Sequence, residues 1–100
     1  MAKQLISLPH PGEILLEDFL KPMGLTQYQL AKATGLDPAT ITRLVQGKQS
    51  ITADIDIRLH HFFGTSTGLW LGLQSDYDIR QEKRLHNKDF LKILDTTKNV

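Results

Sequence analysis

Residues 33–42 read ATGLDPATIT. An apolar-periodic stretch runs into Gly35 and stops, and Asp37-Pro38 opens another two residues later. Glycine accepts the left-handed conformation that ends a helix, Asp is a good N-cap, and Pro suits the first helical position. The stretch therefore predicts two helices joined by a Gly-containing turn of about three residues, the helix-turn-helix pattern. Such a unit sets its second helix across the first, so that the N-terminal part of the second can enter a major groove.

The second helix carries two stripes. Ile41, Leu44 and Val45, at i, i+3 and i+4, form a side to be buried. Ala39, Thr42, Arg43 and Gln46 form the other, polar and short-chained, with Thr40 beside it near the N-terminus. Base reading needs such a face. Small residues permit close approach, Thr methyls meet thymine methyls, and an Arg forks to guanine O6 and N7. Ala39, Thr40, Thr42 and Arg43 are thus the candidate base contacts. Lys32, Gln46 and Lys48 flank them as phosphate anchors, and Gln27 joins the backbone N–H groups at the start of the first helix. Thr26 caps that helix, and Gln29, three residues on, completes a capping box. An ordinary helical hairpin with a solvated polar face would share some of this pattern. Ala31 at the crossing, Gly35 in the turn and Ile41 packing back favour the DNA-binding unit.

Further out, the periodicity stays helical. Pro11-Gly12-Glu13 opens helix one, with Leu15/Phe19 and Leu16/Leu20 at i, i+4, and Pro22 and Gly24 in KPMGL break it. Gly47 closes helix three. Thr52 caps helix four, with Asp54 and Asp56 in or near its first turn; Ile55, Leu59, Phe62 and Phe63 follow, and Gly64 stops it. Ser66 or Thr67 opens helix five, where Leu69, Trp70, Leu73 and Tyr77 share a face. No segment keeps a strand period. The fold expected is all-α: a compact five-helix helix-turn-helix domain over residues 1–79. A charged extension over 80–100 follows, partly helical with a disordered end, carrying an apolar knot at Phe90, Leu91, Ile93 and Leu94.

Composition narrows the function classes. One hundred residues, 40% of them hydrophobic, make one small domain with a real core. No run reaches the length of a membrane span, and MAKQLISLPHPGE lacks the continuous apolar stretch of a secretory signal. With no Cys there is neither a disulfide framework nor a thiolate metal site, and a cytoplasmic protein is expected. Net charge is +1, with six Lys/Arg against seven Asp/Glu over residues 1–77 and six against four over 78–100. DNA binding must then come from a local patch present twice, in a homodimer. Trp70, Leu73, Tyr77 and Ile79 offer more apolar surface than so small a domain needs, and form the expected dimer interface.

Other constellations read as structural. His60 and His61 point about 100° apart on one helix and cannot share a metal by themselves. Asp56 and His60, at i, i+4, suit a solvated or capping role. His10 reads as a packing or hydrogen-bonding residue at a chain entry. Neither a nucleophile–base pair nor a phosphate loop is evident, so no enzyme, cofactor or metal is expected.

From Leu25 to Lys48 the chain resembles the helix-turn-helix of the lambda repressor/Cro, or Xre, class. A wider set of motifs resembles the HigA family of antitoxins: His-Pro-Gly-Glu at 10–13, Gly-Lys and Ile-Thr around 47–52, Phe-Gly-Thr-Ser at 63–66, and Trp-Leu-x-Leu-Gln followed by Tyr-Asp between 70 and 78. The match runs from His10 to about Ile79. The resemblance implies a dimeric repressor of its own promoter, with double-stranded operator DNA and a HigB-type mRNA endoribonuclease toxin as partners. Gln46 stands where the family often has Asn. A basic toxin would favour acidic docking residues away from Arg43, namely Glu13, Glu17, Asp18, Asp76 or Asp78. A stand-alone Xre-type regulator, or a nuclease inhibitor that does not bind DNA, are the alternatives.

Overall fold

The structure, a computed structural model, describes residues 8–93. Leu94 and the disordered end expected of the tail lie outside these residues, as does most of the N-terminal segment considered above. The described residues are helical, without strands. Helix α1 spans residues 11–23 in three consecutive pieces: α-helical at Pro11–Ile14, π-helical at Leu15–Leu20, and α-helical again at Lys21–Met23. Helices α2 (Gln27–Thr34), α3 (Pro38–Val45), α4 (Ala53–Phe63) and α5 (Leu69–Leu91) follow.

Pro22 was expected to help break helix one, yet α1 runs through it and ends at Gly24, with φ at 66°. An α-helical path would press the Pro22 ring against the carbonyl of Asp18. The wide turn just before it relieves that clash, and the Lys21 N–H reaches back five residues to the Leu16 carbonyl.

The sequence caps form as expected around α2, α3 and the start of α4. Thr26 Oγ1 accepts from Gln29 N at 3.0 Å while Gln29 Oε1 accepts from Thr26 N at 2.9 Å. Asp37 Oδ1 accepts from Ala39 N at 2.8 Å, and Thr52 Oγ1 from Ile55 N at 3.3 Å. Helix α3 ends in a Schellman motif: Gly47 N donates to the Leu44 carbonyl and Lys48 N to the Arg43 carbonyl.

Helix α5 departs from expectation at its start. Neither Ser66 nor Thr67 caps it; Gly68 occupies the N-cap with φ at 89° and offers no side chain. The cap comes from α4 instead. Asp56, only 1% exposed, accepts from Gly68 N at 2.8 Å, Trp70 N at 2.9 Å and Leu71 N at 3.1 Å. Asp56 thus takes the capping role open to it, though for the next helix rather than its own, and His60 Nδ1 bonds the Thr65 carbonyl. At the other end α5 continues to Leu91, kinking at His86, so the described part of the extension is largely helical, in keeping with a partly helical tail.

The core is built from Leu15, Leu20, Leu30, Ala31, Leu36, Ile41, Leu44, Ile51, Ile55, Leu59 and Trp70. Phe19 joins α1 to it, its ring centroid 5.0 Å from those of both Phe63 and Trp70. Trp70 is fully buried in this cluster, and its Nε1 donates to Thr65 Oγ1 at 3.2 Å. It therefore has no surface to give a partner, which corrects its place in the expected dimer interface. Leu73 and Tyr77 are half-buried and Ile79 is exposed.

His10 is the N-cap of α1, its Nδ1 accepting from Gly12 N at 2.9 Å, and its ring meets Tyr77 of α5 edge-on at 5.0 Å. Only a neutral imidazole can accept there. Burial holds the His10 pKa below 6.5, against opposing pulls from Asp78 and Glu13. A His whose folded pKa lies below its unfolded value stabilises fully above the unfolded pKa and loses that contribution as pH falls through the folded one.

Two outcomes follow from these caps. Asp56→Ala strands three backbone donors and should cost at least about 2 kcal/mol, lowering Tm by roughly 8 °C or more, with Asp56→Asn losing less. An unchanged melting curve for Asp56→Ala would contradict the cap. The urea midpoint of wild type should fall relative to that of His10→Asn, a cap that does not titrate, as pH drops from about 7.5 to about 5. Parallel midpoints would show that His10 is not held neutral.

Candidate nucleic-acid interface

The helix-turn-helix is α2, the turn Gly35-Leu36-Asp37, and α3. Gly35 closes α2 with φ at 77°, and Leu36 drops into the core. The turn is fastened from behind by Arg58 of α4, whose Nη1 donates to the Thr34 carbonyl at 2.8 Å while its Nε pairs with Asp54 at 2.9 Å. A guanidinium at the negative end of α2 is well placed electrostatically.

Helix α3 presents the two sides that its sequence divides. Ile41 and Leu44 are fully buried and Val45 half-buried, whereas Ala39, Thr42, Arg43 and Gln46 are exposed. Thr40 is half-buried at the edge of that face, and Arg43 Nη2 lies 3.4 Å from Thr40 Oγ1. Thr42 Oγ1 donates to the Pro38 carbonyl at 3.1 Å and lies 3.4 Å from Gln27 Oε1. The structure thus brings Gln27, at the start of α2, onto the same surface as Thr40, Thr42 and Arg43. Lys32 is exposed, its Nζ 5.8 Å from the Tyr28 ring centroid; Lys48 is exposed directly after α3.

Three contacts behind α3 set its position. A Cβ built on Gly12 would stand 1.6 Å from the Leu44 carbonyl oxygen, so α1 and the end of α3 touch backbone to backbone only because residue 12 has no side chain. The His10 ring lies 3.7 Å from the position a Gly47 Cβ would take. Gln74 of α5, 5% exposed, accepts from Ile51 N at 2.8 Å and donates to Asp78 Oδ1 at 2.9 Å. The roles of Gly12, Arg58 and Gln74 were not read from sequence. Gln74 had a visible signal, since it stands four residues after Trp70 and three before Tyr77 on the inward stripe of α5.

A buried-backed helix with a short-chained polar front, following a capped helix and a glycine turn, defines a helix-turn-helix protein of the repressor type. Residues 16–70 match the helix-turn-helix family. Virulence-associated protein I of Dichelobacter nodosus is 44% identical over 75% of this chain and 69% of its own length. Antitoxin HigA-1 of Vibrio cholerae is 32% identical over 78% of this chain and 73% of its own. The Pseudomonas aeruginosa antitoxin HigA, solved with the higBA promoter, superposes with a TM-score of 0.82 at 33% identity, covering 87% of this chain and 96% of that one. The chain belongs to the HigA family of helix-turn-helix antitoxins.

On this surface Arg43→Ala should cost about 1–3 kcal/mol on a cognate duplex and relax preference at one base pair. Lys48→Ala should weaken all sequences alike and flatten the salt slope by about one unit. Fluorescence anisotropy on matched and mutated duplexes measures both. Unaltered affinity of Arg43→Ala at moderate salt would contradict the recognition face.

Proposed function

We propose that this chain is a cytoplasmic antitoxin, itself without catalytic activity. It binds double-stranded operator DNA as a homodimer, represses its own operon and neutralises a HigB-type mRNA endoribonuclease. The observation that carries the DNA reading is the exposed Ala39, Thr42 and Arg43 face with Gln27 beside it, on a fold shared with an antitoxin solved on its promoter. In this reading Ala39, Thr40, Thr42 and Arg43 meet bases, and Gln27, Lys32, Gln46 and Lys48 meet phosphates.

Dimerisation is supported by charge and by surface. With net charge +1, one copy has little general attraction for DNA. Two copies about 34 Å apart would read two half-sites on one face of the duplex. Leu73, Tyr77 and Ile79 remain the candidate interface. The exposed length of α5 beyond them carries Leu85 and Phe90, and Ile79 and Phe90 flank an apolar groove of about 380 Å³. Residues 1–79 then carry the DNA contacts, and the 80–100 extension adds to the interface.

A toxin would dock away from α3. Glu13, Glu17 and Asp18 line one side of α1, and Asp76 and Asp78 lie exposed on α5. These carboxylates suit a basic partner and would act mainly on association rate.

Arg43→Ala should abolish repression of a promoter reporter and still rescue growth against a co-expressed HigB-type toxin. Loss of both activities in a folded variant would mean one shared surface. Rescue by neither wild type nor variant, with repression intact in wild type, would favour the stand-alone regulator. Sedimentation should give a dimer at micromolar concentration; a monomer that binds its operator tightly would contradict the dimer.

A further inference from the structure

The loop after the recognition helix is held at both ends by different means. At its start, the Schellman bonds from Gly47 N and Lys48 N finish α3. At its end, the Ile51 N–H is buried, and its acceptor is a side chain from α5, Gln74 Oε1, 23 residues away. Between these points Lys48 and Ser50 are exposed and Gln49 is half-buried, its Nε2 donating to the Ser50 carbonyl at 2.9 Å.

Gln74 could face Ile51 with either end of its amide, and only the oxygen can accept. Asp78, one turn on along α5, settles the choice. Its carboxylate accepts and does not donate, so it takes the Gln74 amide nitrogen and turns the oxygen toward Ile51. The pair works as an orienter and a clamp; it makes no hydrogen bond to the recognition face and holds the Lys48 loop through Ile51, three residues after Lys48.

We infer that Gln74, oriented by Asp78, is a positioning residue for operator contact: it fixes the loop after α3 so that Lys48 meets a phosphate. The inference rests on the operator-binding reading above. Releasing the Ile51 N–H frees the far end of the loop, and Lys48 then spends part of its binding free energy on ordering that loop. The base-reading residues, ending at Arg43 whose carbonyl opens the Schellman motif, lie before the released end of the loop and keep their placement.

The test is a double-mutant cycle. Wild type, Gln74→Leu, Lys48→Ala and the double variant are titrated with a duplex of the chain's own promoter over a salt series, below the melting temperature of each. Gln74→Leu should weaken binding about five- to tenfold, lower the salt slope by about one unit, and leave the preference at the Arg43 position unchanged. In the Lys48→Ala background the same substitution should add little, because the contact it positions is already gone. A general loss of fold quality would not depend on residue 48, so losses that multiply overturn the inference, as does an unaltered affinity for Gln74→Leu. Asp78→Asn, which still offers an acceptor, should recover most of what Asp78→Ala loses; equal loss in both also overturns it. If Gln74→Leu does not fold, Asp78→Ala paired with Lys48→Ala closes the same cycle. Failure of wild type to bind the duplex would instead overturn the operator reading.

Discussion

Everything on the DNA-facing side depends on one missing side chain. Gly12 lets the backbone of α1 press against the Leu44 carbonyl at the end of α3, a space that a Cβ would overlap at 1.6 Å. The contact is steric, so it tolerates no gradual adjustment, and interiors are packed tightly enough to pass such a clash straight to their neighbours. Its surroundings reinforce it. His10 caps α1 beside the same point, Pro11 starts the helix, and Tyr77 holds the His10 ring edge-on. The His-Pro-Gly-Glu run is therefore a docking device for the recognition helix, though it lies about thirty positions upstream in the chain.

A second pattern runs through the molecule. Two of its polar side chains, Asp56 and Gln74, are buried on otherwise apolar helical faces; Asp56 satisfies three backbone donors at the start of α5 and Gln74 one in the loop after α3. Such groups stabilise only when fully paired, and they fix geometry more tightly than an apolar contact of similar area. Asp56 joins α4 to the start of α5, Gln74 joins α5 to the loop after α3, and Arg58 joins α4 to the end of α2. The helix-turn-helix is thus held from behind at its turn and at the end of its second helix, while the front of α3 is left to solvent.

Local chemistry made most of the fold legible. Thr26, Asp37 and Thr52 cap the helices they precede, and Ile41 and Leu44 bury as their spacing requires, because each signal acts within one or two turns of chain. What escaped depends on contacts between distant segments. Nothing local shows that Asp56 caps α5 or that Gly12 meets Leu44. Trp70 illustrates the same limit: a large aromatic on an apolar stripe suits a core or an interface equally well, and the rings of Phe19 and Phe63 decide for the core. The extension read as a partly helical tail although its charged stretch lacks a clear apolar period, and it is helical as far as Leu91.

The exposed face of α3, with the start of α2, is the surface proposed to meet DNA. Backbone amide chemical shifts followed during titration with a duplex of its own promoter test this most directly. The largest changes should fall within residues 26–51, centred on Ala39 to Arg43 and the amides at the start of α2, with smaller changes in α4. Changes concentrated on the far side of α4 or α5, with α3 undisturbed, would contradict it.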